Sequence, residues 1–207
     1  MAKENPLASN LTLEQQKNLF GNAYLNMLWH CPTDQRFPYW VHLPDCYYDE
    51  KDPHYKLLVI IHGTGCAVED YVRHAKELAD RDHVAVLAPL FPGGLIQRDD
   101  FNSYKLLSCD GVRYDQILLD MIDDMAKRYP GVETDKFFLF GHSGGGQFAN
   151  RFLFAHPEKL RACAIGAPGR PTFLNPDEDY FWGTRDFKNY FGHDVDLAAV
   201  QKVPVLA

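Results

Sequence analysis

The stretch KFFLFGHSGGG, residues 136–146, most constrains how this chain can fold. An apolar run typical of a buried strand ends in glycine, and a helix-like pattern begins at once, at about Gly145. Such a turn forces its central residue into an unfavourable backbone conformation and projects that side chain above the strand end. Gly141 and Gly145, two residues before and after Ser143, provide the space that the crowded turn needs. The pattern predicts that Ser143 is a nucleophile; the alternative is an ordinary serine in a glycine-rich helix start.

Strands and helices are predicted to alternate along most of the chain. Continuous apolar runs indicate strands covered on both faces, and segments of helical period lie between them. The predicted strands are 38–44, 55–63, 83–91, 136–141, 161–168 and 203–207, and the predicted helices are 69–82, 114–129 and about 145–156. This alternation is typical of an α/β fold, with a mostly parallel sheet and helices on both faces. A chain of 207 residues suits one such domain, spanning residues 1–207.

The N-terminal segment carries a helix signal of its own. Thr12 followed by Gln15 has the spacing of a capping box, in which two side chains satisfy backbone amides at a helix start. Apolar residues then recur at near-helical spacing, namely Leu13, Phe20, Tyr24, Met27 and Leu28. The pattern predicts an amphipathic helix over residues 13–29, within a segment of about 12–30, that serves packing and not chemistry.

Composition and charge exclude several classes of partner. The formal net charge is -7 and no cluster of lysine or arginine occurs, which argues against binding to a nucleic-acid backbone. No apolar run approaches the roughly 18 residues of a membrane span, so no membrane partner is expected. The five cysteines are scattered and the N-terminus lacks the apolar stretch of a secretory signal. These features predict a cytoplasmic protein with reduced thiols.

The segment IIHGTG, residues 60–65, supplies the second half of a candidate active site. Acyl transfer generates an oxyanion, which preset backbone N–H groups can stabilise. In a nucleophile-elbow architecture one donor belongs to the residue after the nucleophile, here Gly144. The other belongs to the loop after an earlier strand, here Thr64 or Gly65. His62 is interpreted as a residue that braces this loop and not as a base.

The order of HGTG, then a strand ending in APLFPGG, then GHSGG resembles the α/β-hydrolase superfamily. The segments NSYKLLSCDGVRYDQILLDMIDDMAKRY and GTRDFKNYFG look like its smaller soluble esterases and depolymerase-like members. The resemblance runs from about residue 37 to the end of the sequence. It implies a triad of serine, histidine and a carboxylate, a covalent acyl-enzyme, and no cofactor. The sequence has no metal-ligand spacing of the HExxH or CxxC kind, so no metal is expected.

The resemblance also implies an order in which acid and histidine follow the nucleophile on later strands. The next predicted strand is residues 203–207, so the acid, the histidine and the last strands of the sheet are expected beyond Ala207. The alternative within the sequence is His193, oriented by Asp186 or Asp194. His156, at the end of the helix that follows Ser143, is expected to lie far from the hydroxyl.

Residues 173–191 are unusually rich in aromatic side chains, which are Phe173, Tyr180, Phe181, Trp182, Phe187, Tyr190 and Phe191. They either pack a short insertion onto the sheet or form a small lid, about residues 170–196, over an apolar pocket. The substrate predicted on this basis is a small apolar carboxylic ester, with thioesters and lactones included. Two alternatives stay open: a non-catalytic protein that binds a ligand or partner, and an acyltransferase or cyclase that uses the same nucleophile.

Overall fold

The computed structural model describes Thr12, Gln15 and residues 26–49 and 54–207. In this part of the chain a seven-stranded sheet is flanked by helices, and a two-stranded hairpin lies apart from it. The strands are β1 (Asn26–His30), β2 (Pro38–His42), β3 (Tyr55–Ile61), β4 (Val84–Pro89), β5 (Ser108–Cys109), β6 (Val112–Arg113), β7 (Val132–His142), β8 (Leu160–Gly166) and β9 (Val205–Leu206). The helices are α1 (Val68–Asp82), α2 (Tyr114–Arg128), α3 (Gly144–Ala155), α4 (Phe187–Phe191) and α5 (Leu197–Val200), with 3-10 turns at Ser103–Leu106 and Pro157–Lys159.

The sheet has the order β1-β2-β4-β3-β7-β8-β9. Within this sheet, strands β4, β3, β7, β8 and β9 run parallel to one another, and the pairs β1–β2 and β2–β4 are antiparallel. Parallel neighbours require long crossover connections, which α1, α2 and α3 provide. The prediction of an α/β fold with a mostly parallel sheet is confirmed.

The central strands are buried on both faces, as their continuous apolar runs predict. Alternate residues of β3 point to opposite sides: Val59 and Ile61 join the core cluster that contains α2 and α3. Ile60 joins the cluster that contains α1. Because side chains alternate along a strand, one apolar heptapeptide serves two separate cores. The same geometry brings the carboxyl ends of β3 and β7 to one edge of the sheet.

Local patterns predicted the long elements well. Each of the three predicted helices agrees with α1, α2 or α3 within one residue at either end. The strand predicted over 136–141 is longer than expected, because β7 already starts at Val132. The hairpin of β5 and β6 was not predicted.

The predicted N-terminal helix is wrong in its last residues. Thr12 and Gln15 do exchange the two hydrogen bonds of a capping box, at 2.8 and 3.2 Å, but the other residues of 13–25 lie outside the described part. Asn26–His30 form a strand that pairs antiparallel with β2. Their side chains alternate between exposed and half-buried, which is the period of a strand. Pairing with a neighbouring strand overrides the helical spacing of Met27 and Leu28.

Candidate active site

Ser143 is the single residue between the end of β7 and the start of α3. Its backbone has φ 56° and ψ -117°, a conformation that residues other than glycine rarely adopt. Its N–H donates a hydrogen bond to the carbonyl of Gly166 in β8, at 2.9 Å. Strained backbone of this kind persists only where the surrounding structure enforces it, and it clusters at functional sites.

The two glycines that flank Ser143 are required by contacts across the turn. A Cβ atom added to Gly141 would overlap the backbone carbonyl of Gly145. A Cβ atom added to Gly145 would overlap the carbonyl oxygen of Ile61 at the end of β3. Strand β3, the turn and the start of α3 are therefore packed backbone against backbone, as the motif predicts.

The loop after β3 lies against the turn. A Cβ atom on Gly63 would stand 3.7 Å from the Cβ of Ser143, and one on Gly144 would stand 3.1 Å from Thr64 Oγ1. The structure thus brings Ser143, Gly144 and Thr64 together. Gly65 borders open space, since a Cβ atom there would have no neighbour within 4 Å. Gly144 opens α3, so its N–H is not used in the helix and can face a ligand.

His62 braces this loop from inside. Phe91 N–H donates a hydrogen bond to His62 Nε2 at 3.0 Å, so Nδ1 carries the proton and donates it to the carbonyl of Gly63 at 2.7 Å. Burial lowers the pKa of His62, which keeps the ring neutral. Tyr104 Oη donates a hydrogen bond to the carbonyl of His62 at 3.1 Å. With both nitrogens engaged, His62 positions the loop and cannot act as a base toward Ser143.

Neither a protein-family model nor a curated protein matches the sequence. Solved structures do. Poly(aspartic acid) hydrolase-1 from Sphingomonas sp. KT-1 is 18% identical, with a TM-score of 0.64 over 87% of this chain and 68% of that one. The poly(3-hydroxybutyrate) depolymerase LpqC from Bordetella parapertussis is 19% identical, with a TM-score of 0.61 over 84% and 60%. The chain has the α/β-hydrolase fold.

The S-formylglutathione hydrolase from Staphylococcus aureus also shares the α/β-hydrolase fold, at 21% identity and a TM-score of 0.54 over 68% of this chain. Across these three proteins the chain spans between 55% and 68% of their length. The resemblance drawn from the HGTG, APLFPGG and GHSGG motifs is thus confirmed at the level of the fold. In the described part of the chain, no helix has the length and apolar character to cross a membrane.

Within this α/β-hydrolase fold, His156 lies at the far end of the elbow helix. Helix α3 has 12 residues, which separates His156 from Ser143 by about 18 Å. His156 Nε2 is 2.8 Å from Oδ2 of Asp115, a fully buried carboxylate that Arg113 also contacts. Burial alone would raise the pKa of Asp115, but the hydrogen bonds from His156 and Arg113 outweigh it and lower that pKa. This cluster ties α2 to α3 and plays no part at the elbow.

The arrangement considered for His193 is not formed. His193 Nδ1 donates to the backbone carbonyl of Asp194, at 2.9 Å, and not to a carboxylate. Asp186 accepts the backbone N–H of Tyr180 at 2.6 Å instead. The hydrogen bonds of His156 and His193 within the described residues therefore leave Ser143 without either as a partner.

The aromatic segment divides between core and surface. Tyr180, Phe187 and Phe191 are buried, and the hydroxyl of Tyr180 donates to the carbonyl of Leu106 at 2.6 Å. Trp182 is 52% exposed, and with Phe181 it lines a cavity. Tyr180, Phe187 and Phe191 thus pack into the core, as one of the two explanations predicts. The lid remains a prediction.

A cavity of about 620 Å³ opens beside the elbow; it is lined by Asn102, Lys105, Leu106, Gln147, Arg151, Gly169, Arg170, Phe181 and Trp182. Sequence reasoning missed its charged residues, because they come from three separate segments. A second cavity, of about 680 Å³, lies on the α1 face of the sheet, among Leu58, Ile60 and Phe140. Neither cavity is lined by Ser143 or by the 63–65 loop, but the first shares helix α3 with Ser143, through Gln147 and Arg151.

Proposed function

We propose that this protein is a serine hydrolase that cleaves carboxylic esters through an acyl-enzyme on Ser143. The observation that carries the proposal is the strained backbone of Ser143, at a strand-to-helix turn that faces the Thr64 loop. A turn of this kind costs about 1–3 kcal/mol, which the surrounding packing must offset. The turn projects the serine hydroxyl above the edge of the sheet, where a substrate can reach it. The two hydrolases and the depolymerase that share the fold support a hydrolase of this general class.

In the proposed reaction Ser143 Oγ attacks the ester carbonyl carbon and its proton leaves for a general base. The tetrahedral intermediate collapses, the bond to the leaving alcohol breaks, and that alcohol takes up the proton. Water then attacks the acyl-enzyme by the same route, releasing the carboxylic acid and restoring Ser143. The backbone N–H of Gly144, with that of Thr64 or Gly65, holds the oxyanion, and each such donor contributes about 2.7–4 kcal/mol.

The general base of this proposal is a histidine other than His62 and His156, whose ring nitrogens are bonded elsewhere. It has to approach Ser143 Oγ to within about 3 Å, directly or in the complex with substrate. Replacing His193 by alanine tests whether that residue is the base. Loss of activity by several orders of magnitude identifies it, and full activity excludes it.

The proposed substrate is a small ester with an apolar portion. Leu106, Phe181 and Trp182 form the apolar part of the cavity beside the elbow and support this choice. Apolar walls with a few oriented polar groups are the usual composition of a small-molecule site.

The direct test is labelling with a fluorophosphonate, which reacts only with an activated serine. The intact mass of the wild-type protein should rise by one probe, and Ser143→Ala should stay unlabelled. Ser108→Ala is the matched control, because Ser108 lies in the separate hairpin, and it should label like the wild type. A wild-type protein that is folded yet unlabelled would contradict the proposal.

A second candidate is a non-catalytic protein that binds a small ligand in the same cavity. The observation that favours it is that His156 and His193 both make their hydrogen bonds away from Ser143. The fluorophosphonate experiment distinguishes the two candidates, because a pocket without an activated serine does not react with the probe.

We also propose a cytoplasmic location, without nucleic-acid or membrane partners. The cysteines Cys31, Cys46, Cys66, Cys109 and Cys163 are all free thiols, as suits a reducing compartment. The net charge of -7 disfavours binding to phosphate backbones and anionic lipid surfaces. Fractionation of the source cells checks the location: recovery in the cytosolic fraction supports it, and recovery with membranes or in the medium contradicts it.

A further inference from the structure

Three cationic side chains surround the cavity beside the elbow. Lys105, Arg151 and Arg170 line it, and none of its nine lining residues is an aspartate or a glutamate. The chain as a whole is acidic, with a net charge of -7, so this concentration of positive charge is not a general property of the surface. It marks the cavity off from the rest of the molecule.

Arg151 is the deepest of the three, at 2% exposure. Its guanidinium donates hydrogen bonds to the carbonyls of Lys105 and Arg170, at 2.8 and 2.9 Å, and to Thr172 Oγ1 at 2.9 Å. These neutral oxygens satisfy its donors, and no carboxylate within the described part of the chain forms an ion pair with it. Arg151 therefore fixes the cavity walls and adds a positive potential to the space between them.

Lys105 is 5% exposed, and its ammonium donates to a neutral acceptor, Asn102 Oδ1, at 2.7 Å. Burial lowers the pKa of Lys105, an effect that nearby Asp100 opposes. The Asp100 carboxylate is itself held by the backbone N–H groups of Asn102 and Ser103 and by the hydroxyl of Ser103. Other arginines and lysines of the described residues form ion pairs, but neither Lys105 nor Arg170 is paired with a carboxylate among them.

The cavity lies near the nucleophile, although Ser143 and Gly144 are not among its lining residues. Lys105 Cε packs on Gly144, where an added Cβ atom would lie 2.8 Å from it. Gln147 lines the cavity one helical turn after Ser143, and its N–H donates to the carbonyl of Ser143 at 3.1 Å. One turn of helix advances about 5.4 Å, so a short substrate can reach from the hydroxyl into the cavity.

We infer that the cavity binds a carboxylate carried by the ester substrate, with Lys105 and Arg170 as its ligands. Lys105 is buried and pairs with no carboxylate among the described residues, which is costly, and a carboxylate from the substrate would remove that cost through charge-assisted hydrogen bonds. Arg170, which is exposed, would supply the second ligand. Phe181 and Trp182 contact the apolar spacer between this carboxylate and the scissile ester. The inference rests on the proposed function and refines its apolar ester into a monoester of a dicarboxylic acid.

The test compares two esters that differ only in charge, para-nitrophenyl hydrogen glutarate and para-nitrophenyl methyl glutarate. The wild type should prefer the charged ester by about tenfold or more in kcat/KM, which corresponds to one charge-assisted hydrogen bond. Arg170→Gln, at an exposed position, and Lys105→Met, which keeps the stem on Gly144, should each bring that ratio toward one. Arg73→Gln, on exposed α1 surface, is the matched control and should keep the ratio. Equal rates on the two esters would overturn the inference.

A binding measurement separates failure of this inference from failure of the proposed function. Glutarate is titrated calorimetrically into the Ser143→Ala protein, which needs no catalysis. Binding that weakens by about tenfold in the double variant Ser143→Ala, Arg170→Gln upholds the cavity assignment even if the wild type hydrolyses neither ester. Absence of glutarate binding to the folded Ser143→Ala protein overturns the assignment, whatever the fate of the hydrolase proposal.

Discussion

Arg151 Nη1 donates a hydrogen bond to the backbone carbonyl of Lys105 at 2.8 Å. This contact joins the elbow helix α3 to the 3-10 turn that carries Lys105, which are far apart in the sequence. Because the same guanidinium also holds the carbonyl of Arg170, one buried side chain ties together the segments that carry the other two cations of the cavity.

Replacing Arg151 by methionine should lower the free energy of unfolding by about 3 kcal/mol, since the carbonyls of Lys105 and Arg170 and the hydroxyl of Thr172 would lose a charged donor. Urea unfolding followed by tryptophan fluorescence measures the change. Arg161→Met is the matched control: Arg161 forms a surface ion pair with Glu133, worth at most about 1 kcal/mol. Equal losses in the two variants would contradict the structural role of Arg151.

Gly145→Ala should destabilise the protein by at least about 2 kcal/mol, because the new methyl group meets the backbone oxygen of Ile61 and neither element can yield freely. Gly65→Ala offers a matched control in the neighbouring loop, where the same methyl group meets open space. Its unfolding free energy should stay within about 0.5 kcal/mol of the wild type. Chemical denaturation of both variants decides the matter, and similar values for the two would show that the elbow is less crowded than its geometry indicates.

Ser143→Gly should be more stable than Ser143→Ala by about 1 kcal/mol. Both variants lack the hydroxyl, but only alanine keeps the Cβ atom that makes φ 56° and ψ -117° unfavourable. The gain is reduced by the greater chain entropy that glycine loses on folding. Thermal and urea unfolding of the pair isolate the backbone strain, and an alanine variant as stable as the glycine variant would show that no strain is stored there.

Asp115→Asn should be less stable than the wild type by about 2 kcal/mol at neutral pH, since the buried carboxylate accepts hydrogen bonds from Arg113 and His156. The pKa of Asp115 is lowered in the folded state, so this contribution is present above the ordinary value of 3.8 and is lost as the pH falls through the folded pKa. The gap between variant and wild type should therefore narrow at pH values below about 4. Asp135→Asn, at an exposed position of β7, should show no such gap at any pH.

How far the fold follows from the sequence depends on how local each element is. Helix α2 was predicted to within one residue because fifteen residues repeat one amphipathic pattern and Pro130 follows it. Strand β1 was not, because Met27 and Leu28 fit a helical and a strand period equally well. Pairing with β2 favours the strand over the helix, and this contact cannot be predicted from the local sequence pattern.

The hairpin of β5 and β6 carried a signal that was overlooked. Asp110 and Gly111 form its two-residue turn, both with positive φ, at 48° and 79°. An Asp-Gly pair favours a tight hairpin turn, because both residues tolerate the positive φ that the turn requires. Its strands have only two residues each, too few to show a period.

The candidate site divides in the same way. The elbow lies in one short segment. Its glycines were predictable from the sequence, because the crowded turn requires small residues two positions before and after Ser143. The cationic cavity has no such spacing, because Lys105, Arg151 and Arg170 meet only when the sheet and its crossovers are in place. No single-segment motif could have predicted it.

The hydrogen bond from Ser143 N–H to Gly166 anchors the reacting residue to the sheet itself. The proposed substrate ligands lie instead in connecting segments, namely the turn of Lys105 and the loop of Arg170. Substitutions in those segments can alter which molecules are accepted while the nucleophile keeps its place. On the proposed function, selectivity can therefore diverge during evolution while the anchored serine stays unchanged.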